Sequence, residues 1–265
     1  MHFKFNKKYI FISSFLLLSF FTLYLLHKYQ FFRNGEEKSI DNKVSEVLQI
    51  TNCFLSRKRD LKQFEGKKLL AFTFDDGPSN QSTNKLLDNL DKYNARVTFF
   101  VLGSRVAKYQ NSLKRAYEMG NQIGSHTYSH SNLYKLEKNK IKEEMVKTNT
   151  EIKKLIGENV KLLRPPYGNI DLEMKKITNL YTILWDIDPK DWKYKDKERI
   201  ANNIVKNAHD GGIVLLHDIY MTSVDGALLA MERLEKEGYA FVTIDEMVEL
   251  KGITLDKNKT YFYFN

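Results

Sequence analysis

The stretch Thr73-Phe-Asp-Asp-Gly-Pro78 ends an apolar run with two adjacent carboxylates and then turns the backbone at once. Residues 69–74 have the length and composition of a buried strand, and Gly77-Pro78 is typical of a turn. Two carboxylates at the end of a core strand repel each other and lose hydration, so a cation, a metal or a shared proton has to compensate them. The alternative for this stretch alone is an Asx-type turn with both side chains in water.

Beyond residue 68, short apolar runs alternate with helical stretches. Seven strand candidates lie at residues 69–74, 97–102, 122–125, 161–164, 181–185, 213–216 and 239–242. Helix candidates follow them at residues 84–92, 105–119, 136–156, 172–179, 197–209, 224–237 and 244–250. Seven strands each followed by a helix predict a parallel α/β fold, and a stretch of about 195 residues favours a small barrel over an open sheet. The catalytic residues of such barrels lie at the carboxyl ends of the strands.

The segment His126-Thr-Tyr-Ser-His130 follows the third strand candidate and offers two imidazoles four positions apart. That spacing suits one metal ion if the segment turns helically. Together with Asp76 it supplies two imidazoles and a carboxylate, which leave open coordination positions as catalytic zinc sites do. Taken alone, the spacing is equally that of two surface histidines.

The segment Arg164-Pro-Pro-Tyr-Gly168 ends the fourth strand candidate. A guanidinium at that depth needs an anionic partner, which the Asp75/Asp76 pair would provide. The two prolines and Gly168 fix a backbone that can direct a main-chain N–H into a site. A rigid structural turn with Arg164 on the surface is the alternative.

The fifth strand candidate is followed by a segment that contains Asp191-Trp192, and Leu215-Leu-His-Asp218 ends the sixth. A histidine at a strand end with a carboxylate nearby can serve as a general acid, and Asp191 is the predicted partner of His217. Trp192 and Leu215 are expected to pack in the core and also to wall a small apolar pocket.

These five segments resemble the motif set of the polysaccharide deacetylases, the NodB-homology group also called carbohydrate esterase family 4. The motifs are Thr-Phe-Asp-Asp-Gly-Pro, His-Thr-Tyr-Ser-His, Arg-Pro-Pro-Tyr-Gly, Asp-Pro-Lys-Asp-Trp and Leu-Leu-His-Asp, in that order. The resemblance covers about residues 68–250 and shows no departure at a functional position. It implies a distorted (β/α)7 barrel and a complete active site.

The resemblance implies that Asp75 is a general base, oriented by Arg164. It implies that Asp76, His126 and His130 are ligands of one divalent metal, usually zinc, with Co²⁺, Ni²⁺ and Mn²⁺ as alternatives.

The resemblance also assigns the remaining groups of the site. It makes His217 the general acid and Asp191 the residue that tunes its charge. The backbone N–H of Tyr167 would help to hold the oxyanion, while Trp192 and Leu215 would enclose the acetyl methyl group.

The first 67 residues have a different composition. Residues 9–26 contain no charge and follow three lysines, which predicts an uncleaved transmembrane anchor within residues 1–28 and an extracellular stalk over residues 29–67. A secreted protein after signal cleavage is the alternative. Residues 1–65 carry +5 of the total net charge of +9, so the basic character lies near the predicted membrane.

The rest of the chain is expected to form two further parts. Residues 68–252 are expected to form the catalytic domain, and residues 253–265 a C-terminal tail. No nucleic-acid module is recognisable, so nucleic acid is excluded as a partner. Cys53 is the single cysteine, which excludes an internal disulfide and a thiolate metal site.

The expected function is removal of N-acetyl groups from a cell-surface glycan, with the N-acetylglucosamine of peptidoglycan as the expected substrate. The alternatives within the enzyme class are an O-deacetylase of acetylxylan or another polysaccharide and a deacetylase of chitooligosaccharides. The alternative from another class is a catalytically silent glycan-binding module. Such a module would be expected to lack Asp75 or His217, and both are present.

Overall fold

The structure is a computed structural model that describes Val44 and residues 59–265. Residues 59–265 belong to one compact unit. The predicted anchor in residues 1–28 and most of the predicted stalk lie outside the described residues. Among the residues that are described, none of the helices has both the length and the apolar composition of a membrane span.

Eight strands of the described region form one parallel sheet. They are β1 (Lys68–Asp75), β2 (Thr98–Val101), β3 (Gln122–Ser125), β4 (Leu162–Leu163), β5 (Tyr181–Ile183), β6 (Gly212–His217), β7 (Tyr239–Phe241) and β8 (Thr260–Tyr261). Their order is β6-β1-β2-β3-β4-β5-β8, and β7 pairs with the first half of β1. All seven predicted strands are present. The eighth lies in residues 253–265, for which no strand was predicted.

Helices connect the strands. They are α1 (Ser82–Leu90), α2 (Gly103–Val106), α3 (Gln110–Glu118), α4 (Lys138–Ile156), α5 (Leu172–Thr178), α6 (Lys197–Asn207), α7 (Met221–Lys236) and α8 (Ile244–Leu250). The helix predicted over residues 105–119 is in fact two helices. The first turn of α2 is hydrogen-bonded to the loop that follows β3, whereas α3 packs its own apolar face on the sheet. Two different packing partners therefore set two helix directions.

Side chains of β1 alternate between two apolar layers. Leu70, Phe72 and Phe74 join the layer between sheet and helices, and Leu69 and Ala71 point into the interior enclosed by the sheet. Because side chains of a strand alternate with a period of two, Thr73 and Asp75 point into that same interior. This alternation brings the carboxylate of Asp75 to the carboxyl end of the barrel.

The two ends of the curved sheet approach each other near β6. Ile187 forms a bridge with Val214 of β6, and the Phe264 N–H donates to the Gly211 carbonyl at 2.9 Å. A Cβ at Gly211 would lie 1.6 Å from the Phe264 carbonyl oxygen, so this closure requires glycine. The expectation of a parallel, barrel-like α/β fold is confirmed.

A short segment before β1 packs against the base of the barrel. Phe64 is 3% exposed and belongs to the interior core. The Arg59 guanidinium stacks 4.1 Å from the Phe64 ring and donates to Glu246 at 3.3 Å. Residues 59–64, which the sequence analysis placed in the stalk, are therefore part of the packed unit.

Candidate active site

Asp75 lies at the end of β1 and is paired with a buried arginine. Its Oδ1 is 2.9 Å from Nη1 of Arg164, and the two residues are 3% and 0% exposed. The guanidinium also donates to Thr73 Oγ1 and to the carbonyls of Ile183 and Leu184. Arg164 is thus held on all sides and cannot leave Asp75 without exposing several buried acceptors. This guanidinium supplies the predicted compensating charge for one of the two adjacent carboxylates.

Asp76 meets the two histidines. Its Oδ1 lies 3.6 Å from Nε2 of His126 and 3.5 Å from Nε2 of His130, and the three ligand atoms lie within 4.8 Å of one another. The Asp76 Oδ1 is buried and has no hydrogen-bond partner among the described residues. An orphaned carboxylate oxygen that faces two imidazole nitrogens fits a shared cation.

The tautomer of His126 fits a metal ligand. Its Nδ1 is 2.6 Å from the Arg164 carbonyl oxygen, which can only accept, so Nδ1 carries the proton. The lone pair of Nε2 therefore points toward Asp76. Burial lowers the pKa of His126, against the opposing charges of Asp75 and Asp76, and this favours the neutral imidazole that metals bind.

Left-handed backbone conformations are concentrated around this site. Positive φ angles occur at Asp76 (68°), Thr127 (69°), His130 (60°) and Tyr167 (64°). Such angles are costly for residues other than glycine and persist where surrounding contacts enforce them. The loop of residues 126–130, here called the histidine loop, contains two of the four.

His217 lies at the end of β6 with Asp191 beneath it. The Asp191 carboxylate accepts from His217 Nδ1 at 2.9 Å and from the His217 backbone N–H at 2.8 Å, and it is fully buried. Burial lowers the pKa of His217, but the hydrogen bond and charge of Asp191 outweigh it and raise the pKa to about 9. The imidazole is therefore protonated at neutral pH, as a general acid has to be.

The other three predicted residues lie at the same end of the barrel. Tyr167 is in the turn Pro166–Gly168 that follows β4, and its ring packs edge-on 5.0 Å from the ring of His130. Leu215 is a β6 residue and 4% exposed, so the core packing expected of it is confirmed. The same expectation is wrong for Trp192, which directly follows Asp191 and is 51% exposed. The structure thus brings all ten predicted residues to the ends of β1, β3, β4 and β6 and to the segment after β5.

Comparisons with known proteins agree with this geometry. The family model described as polysaccharide deacetylase matches residues 62–183. Peptidoglycan-N-acetylglucosamine deacetylase of Bacillus cereus is 36% identical over 190 residues, which are 69% of this chain and 69% of that protein. The chain belongs to the polysaccharide deacetylase family.

Two other members of the polysaccharide deacetylase family are informative. Peptidoglycan-N-acetylmuramic acid deacetylase PdaC of Bacillus subtilis is 41% identical over 185 residues, which are 70% of this chain but only 40% of that protein. A solved family 4 acetyl xylan esterase of Clostridium thermocellum, in complex with a cobalt ion, has a TM-score of 0.71 at 32% identity. The match covers 74% of this chain and 98% of that one.

The candidate active site also contains supporting residues that were not predicted from the sequence. Thr73 Oγ1 accepts from Arg164 Nη1 and donates to the Val214 carbonyl, both at 2.6 Å. Its position two residues before Asp75 in a strand, and hence on the same face, could have indicated this role. Glu144 of α4 accepts hydrogen bonds from the histidine loop, and no sequence spacing points to it.

Asp218 is a further buried carboxyl group next to the Asp75-Asp76 turn. Burial raises its pKa to about 7, and Thr83 donates a hydrogen bond to its Oδ2. A Cβ at Gly77 would lie 2.2 Å from its Oδ1, so only glycine fits there. Asp218 therefore packs directly against the turn that carries Asp76.

Proposed function

We propose that this protein is a metal-dependent deacetylase that hydrolyses the N-acetyl groups of N-acetylglucosamine in peptidoglycan, giving acetate and a free amine. The observation that carries the proposal is the placement of a carboxylate and an imidazolium on neighbouring strands beside an Asp-His-His cluster. Asp75 and His217 are direct register partners of β1 and β6.

Asp76, His126 and His130 would hold the metal, and their donor set fits it. One carboxylate oxygen and two neutral imidazole nitrogens suit a borderline ion such as Zn²⁺, with Co²⁺, Ni²⁺ and Mn²⁺ as alternatives. A divalent ion in this position acts as a Lewis acid toward the acetyl carbonyl and favours the ionisation of water.

Asp75 is proposed as the general base that takes the proton of the attacking water. The Arg164 guanidinium donates to its Oδ1 at 2.9 Å and leaves Oδ2 for the water. Because Arg164 is itself fixed by two backbone carbonyls, the carboxylate is held in one orientation. The base is thereby positioned before the substrate binds.

His217 is proposed as the general acid that protonates the departing amine. An amine leaves as a neutral group only if the nitrogen receives a proton, and the charged imidazole supplies it from Nε2 because Nδ1 is bound to Asp191. The Asp191 carboxylate holds the ring and stabilises its charge, so Asp191 positions and tunes His217.

The remaining groups are proposed to bind the acetyl group. The Tyr167 backbone N–H has no acceptor among the described residues, and it is the proposed donor to the oxyanion. Leu215 lies two positions before His217 on the same face of β6, and exposed Trp192 directly follows Asp191, so both are proposed to contact the acetyl methyl group.

Peptidoglycan is proposed as the polymer because the relatives whose names give a substrate include several peptidoglycan deacetylases. The predicted anchor in residues 9–26 supports the same choice, because it would place the catalytic domain outside the cell membrane next to the wall. We therefore propose a single-pass membrane protein with an extracellular catalytic domain.

The test is acetate release by the purified protein from three acetylated polymers: peptidoglycan, chitooligosaccharides and acetylxylan. The proposal predicts the highest kcat/KM on peptidoglycan. A higher value on acetylxylan would assign an O-deacetylase instead. Binding of all three polymers without acetate release would point to a silent glycan-binding module.

A further inference from the structure

The histidine loop carries two of the three proposed metal ligands in a strained backbone. Thr127 and His130 both have left-handed φ angles, and neither is glycine. Some contact has to hold these conformations, because the loop alone would favour others. If the loop relaxed, the Nε2 atoms of His126 and His130 would no longer face the same carboxylate oxygen.

That contact is found among the acceptors of the loop's five backbone N–H groups. Their acceptors, in chain order, are the Val101 carbonyl, Ser125 Oγ, Glu144 Oε2, Glu144 Oε2 again and Thr127 Oγ1. The two central groups, those of Tyr128 and Ser129, share one carboxylate oxygen at 2.8 and 2.9 Å. The second oxygen, Oε1, accepts from the Ser129 hydroxyl at 2.9 Å.

The opposite side of the loop is held by another helix. The carbonyls of Thr127 and Tyr128 accept from the N–H groups of Gly103 and Ser104 in α2, both at 3.0 Å. The loop is thus fixed between the amino end of α2 and the Glu144 side chain of α4. Of these two supports, only Glu144 is a side chain that a mutation can remove.

Glu144 is well placed to transmit rigidity to the loop. It is half-buried on α4, at the edge of the buried face that Ile141, Met145 and Thr148 form. The Thr148 hydroxyl donates to the Glu144 carbonyl at 2.7 Å, and a Cβ at Gly103 would lie 2.8 Å from Thr148 Oγ1. The two helices that hold the loop therefore also pack tightly on each other.

From these contacts we infer that Glu144 is a positioning residue for metal binding, which holds the histidine loop so that His126 and His130 present Nε2 to one ion. The inference rests on the proposed metal site and goes beyond it, because Glu144 does not touch the ligand atoms. Hydrogen bonds that orient metal ligands from outside the coordination sphere typically change metal affinity about 10- to 100-fold.

The test is the Zn²⁺ affinity of the full-length protein, measured by competition with a chelator, for four forms: wild type, Glu144→Ala, Glu144→Gln and Glu143→Ala. Glu144→Ala leaves two N–H groups without an acceptor, and we expect about 10- to 100-fold weaker Zn²⁺ binding. Glu144→Gln keeps the amide oxygen as acceptor and should bind Zn²⁺ within about threefold of wild type. Glu143 is the matched control, because it is the neighbouring residue of α4 and pairs with exposed Lys140 instead.

A spectroscopic measurement separates positioning from general destabilisation. The visible absorption of the Co²⁺-loaded protein reports ligand geometry, and it should change in Glu144→Ala but not in Glu144→Gln or Glu143→Ala. If Glu144→Ala does not fold without metal, Glu144→Asp replaces it, because a carboxylate shorter by one methylene withdraws from the loop while the charge stays.

The outcomes distinguish this inference from the proposed function. Wild-type affinity in Glu144→Ala would overturn the positioning role and leave the metal site intact. An equal loss in Glu144→Ala and Glu144→Gln, or in Glu143→Ala, would also overturn it, because the acceptor would not be the cause. No Zn²⁺ binding by the wild type would overturn the proposed function and this inference together.

Discussion

Asp75 and His217 face each other as direct register partners on the neighbouring parallel strands β1 and β6. Register partners present their side chains on the same face, so both groups enter the same end of the barrel interior. Each is held by its own buried partner, Asp75 by Arg164 and His217 by Asp191. The partner of Asp75 is a cation and the partner of His217 is an anion, and the hydrogen bond and charge of Asp191 raise the pKa of His217 to about 9.

Replacing Asp75 should separate metal binding from turnover. Asp75→Asn removes the basic carboxylate, while the amide oxygen can still accept from Arg164. We expect kcat to fall about 10²- to 10⁴-fold with Zn²⁺ content unchanged. Asp76→Asn is the control, since it changes a proposed ligand and should lose bound metal. Full turnover in Asp75→Asn would exclude Asp75 as the base.

Replacing Asp191 should lower the pKa of His217. In the metal-free protein the pKa of that imidazole, followed by NMR titration, should be about 9 and should fall in Asp191→Asn. The basic limb of kcat/KM should move to lower pH in the same variant, because the imidazolium loses its stabilising charge. Asp186→Asn is a matched control, because Asp186 pairs with exposed His209. A basic limb unchanged in Asp191→Asn would contradict the pairing.

The His217–Asp191 pair should make the free energy of unfolding decrease as the pH rises. The pKa of His217 is raised on folding, so the native protein binds the proton more tightly than the unfolded chain. This contribution is fully present below about pH 6.5 and is lost as the pH rises toward about 9. The free energies of unfolding of wild type and Asp191→Asn, measured by denaturant titration across that window, should therefore approach each other at high pH. Parallel curves would exclude the proton linkage.

The buried Arg164–Asp75 pair predicts strong coupling between two substitutions. Arg164→Met leaves Asp75 buried without its cation, which should lower the free energy of unfolding by about 3–5 kcal/mol. Arg164→Met with Asp75→Asn should cost less than the sum of the single changes, because no charge is then left unpaired. Arg233→Met, which breaks an exposed pair with Glu198, should cost at most about 1 kcal/mol. Additive losses at the buried pair would refute the coupling.

The packing of residues 59–64 predicts how far the chain can be truncated from its amino end without loss of stability. A fragment of residues 56–265 keeps Phe64 in the core and Arg59 on Glu246, whereas residues 66–265 lack both. The shorter fragment should be less stable by about 3–5 kcal/mol, the usual cost of removing a buried phenylalanine side chain. Urea denaturation of the two fragments measures the difference, and equal midpoints and slopes would show that this segment adds no stability.

The strands and the charge relationships could be predicted from the sequence, since apolar runs and buried charges impose strong constraints. Thr73–Pro78 ends a strand with two carboxylates, and the need to compensate them led to Arg164 and to the histidines. β8 was not predicted, because it has only two residues and pairs with β5 from far along the chain.

The contacts that hold the backbone of the histidine loop could also not be predicted from the sequence. Glu144 follows His130 by 14 positions on a helix, and only the packing of α4 against α2 brings it to the histidine loop. The break between α2 and α3 has the same origin, because the N–H groups of Gly103 and Ser104 are bound by that loop. Hydrophobic periodicity indicates the buried face of a single helix or strand, whereas these contacts depend on how α2, the histidine loop and α4 pack together.

The most direct test of metal-dependent deacetylation is acetate release from peptidoglycan by protein treated with a chelator, before and after Zn²⁺ is restored. Wild type should be inactive without metal and should regain activity as Zn²⁺ reaches one equivalent, whereas His126→Ala should stay inactive at that Zn²⁺ concentration. Acetate release by the metal-free protein at the restored rate, or none from wild type at any Zn²⁺ concentration, would contradict the account.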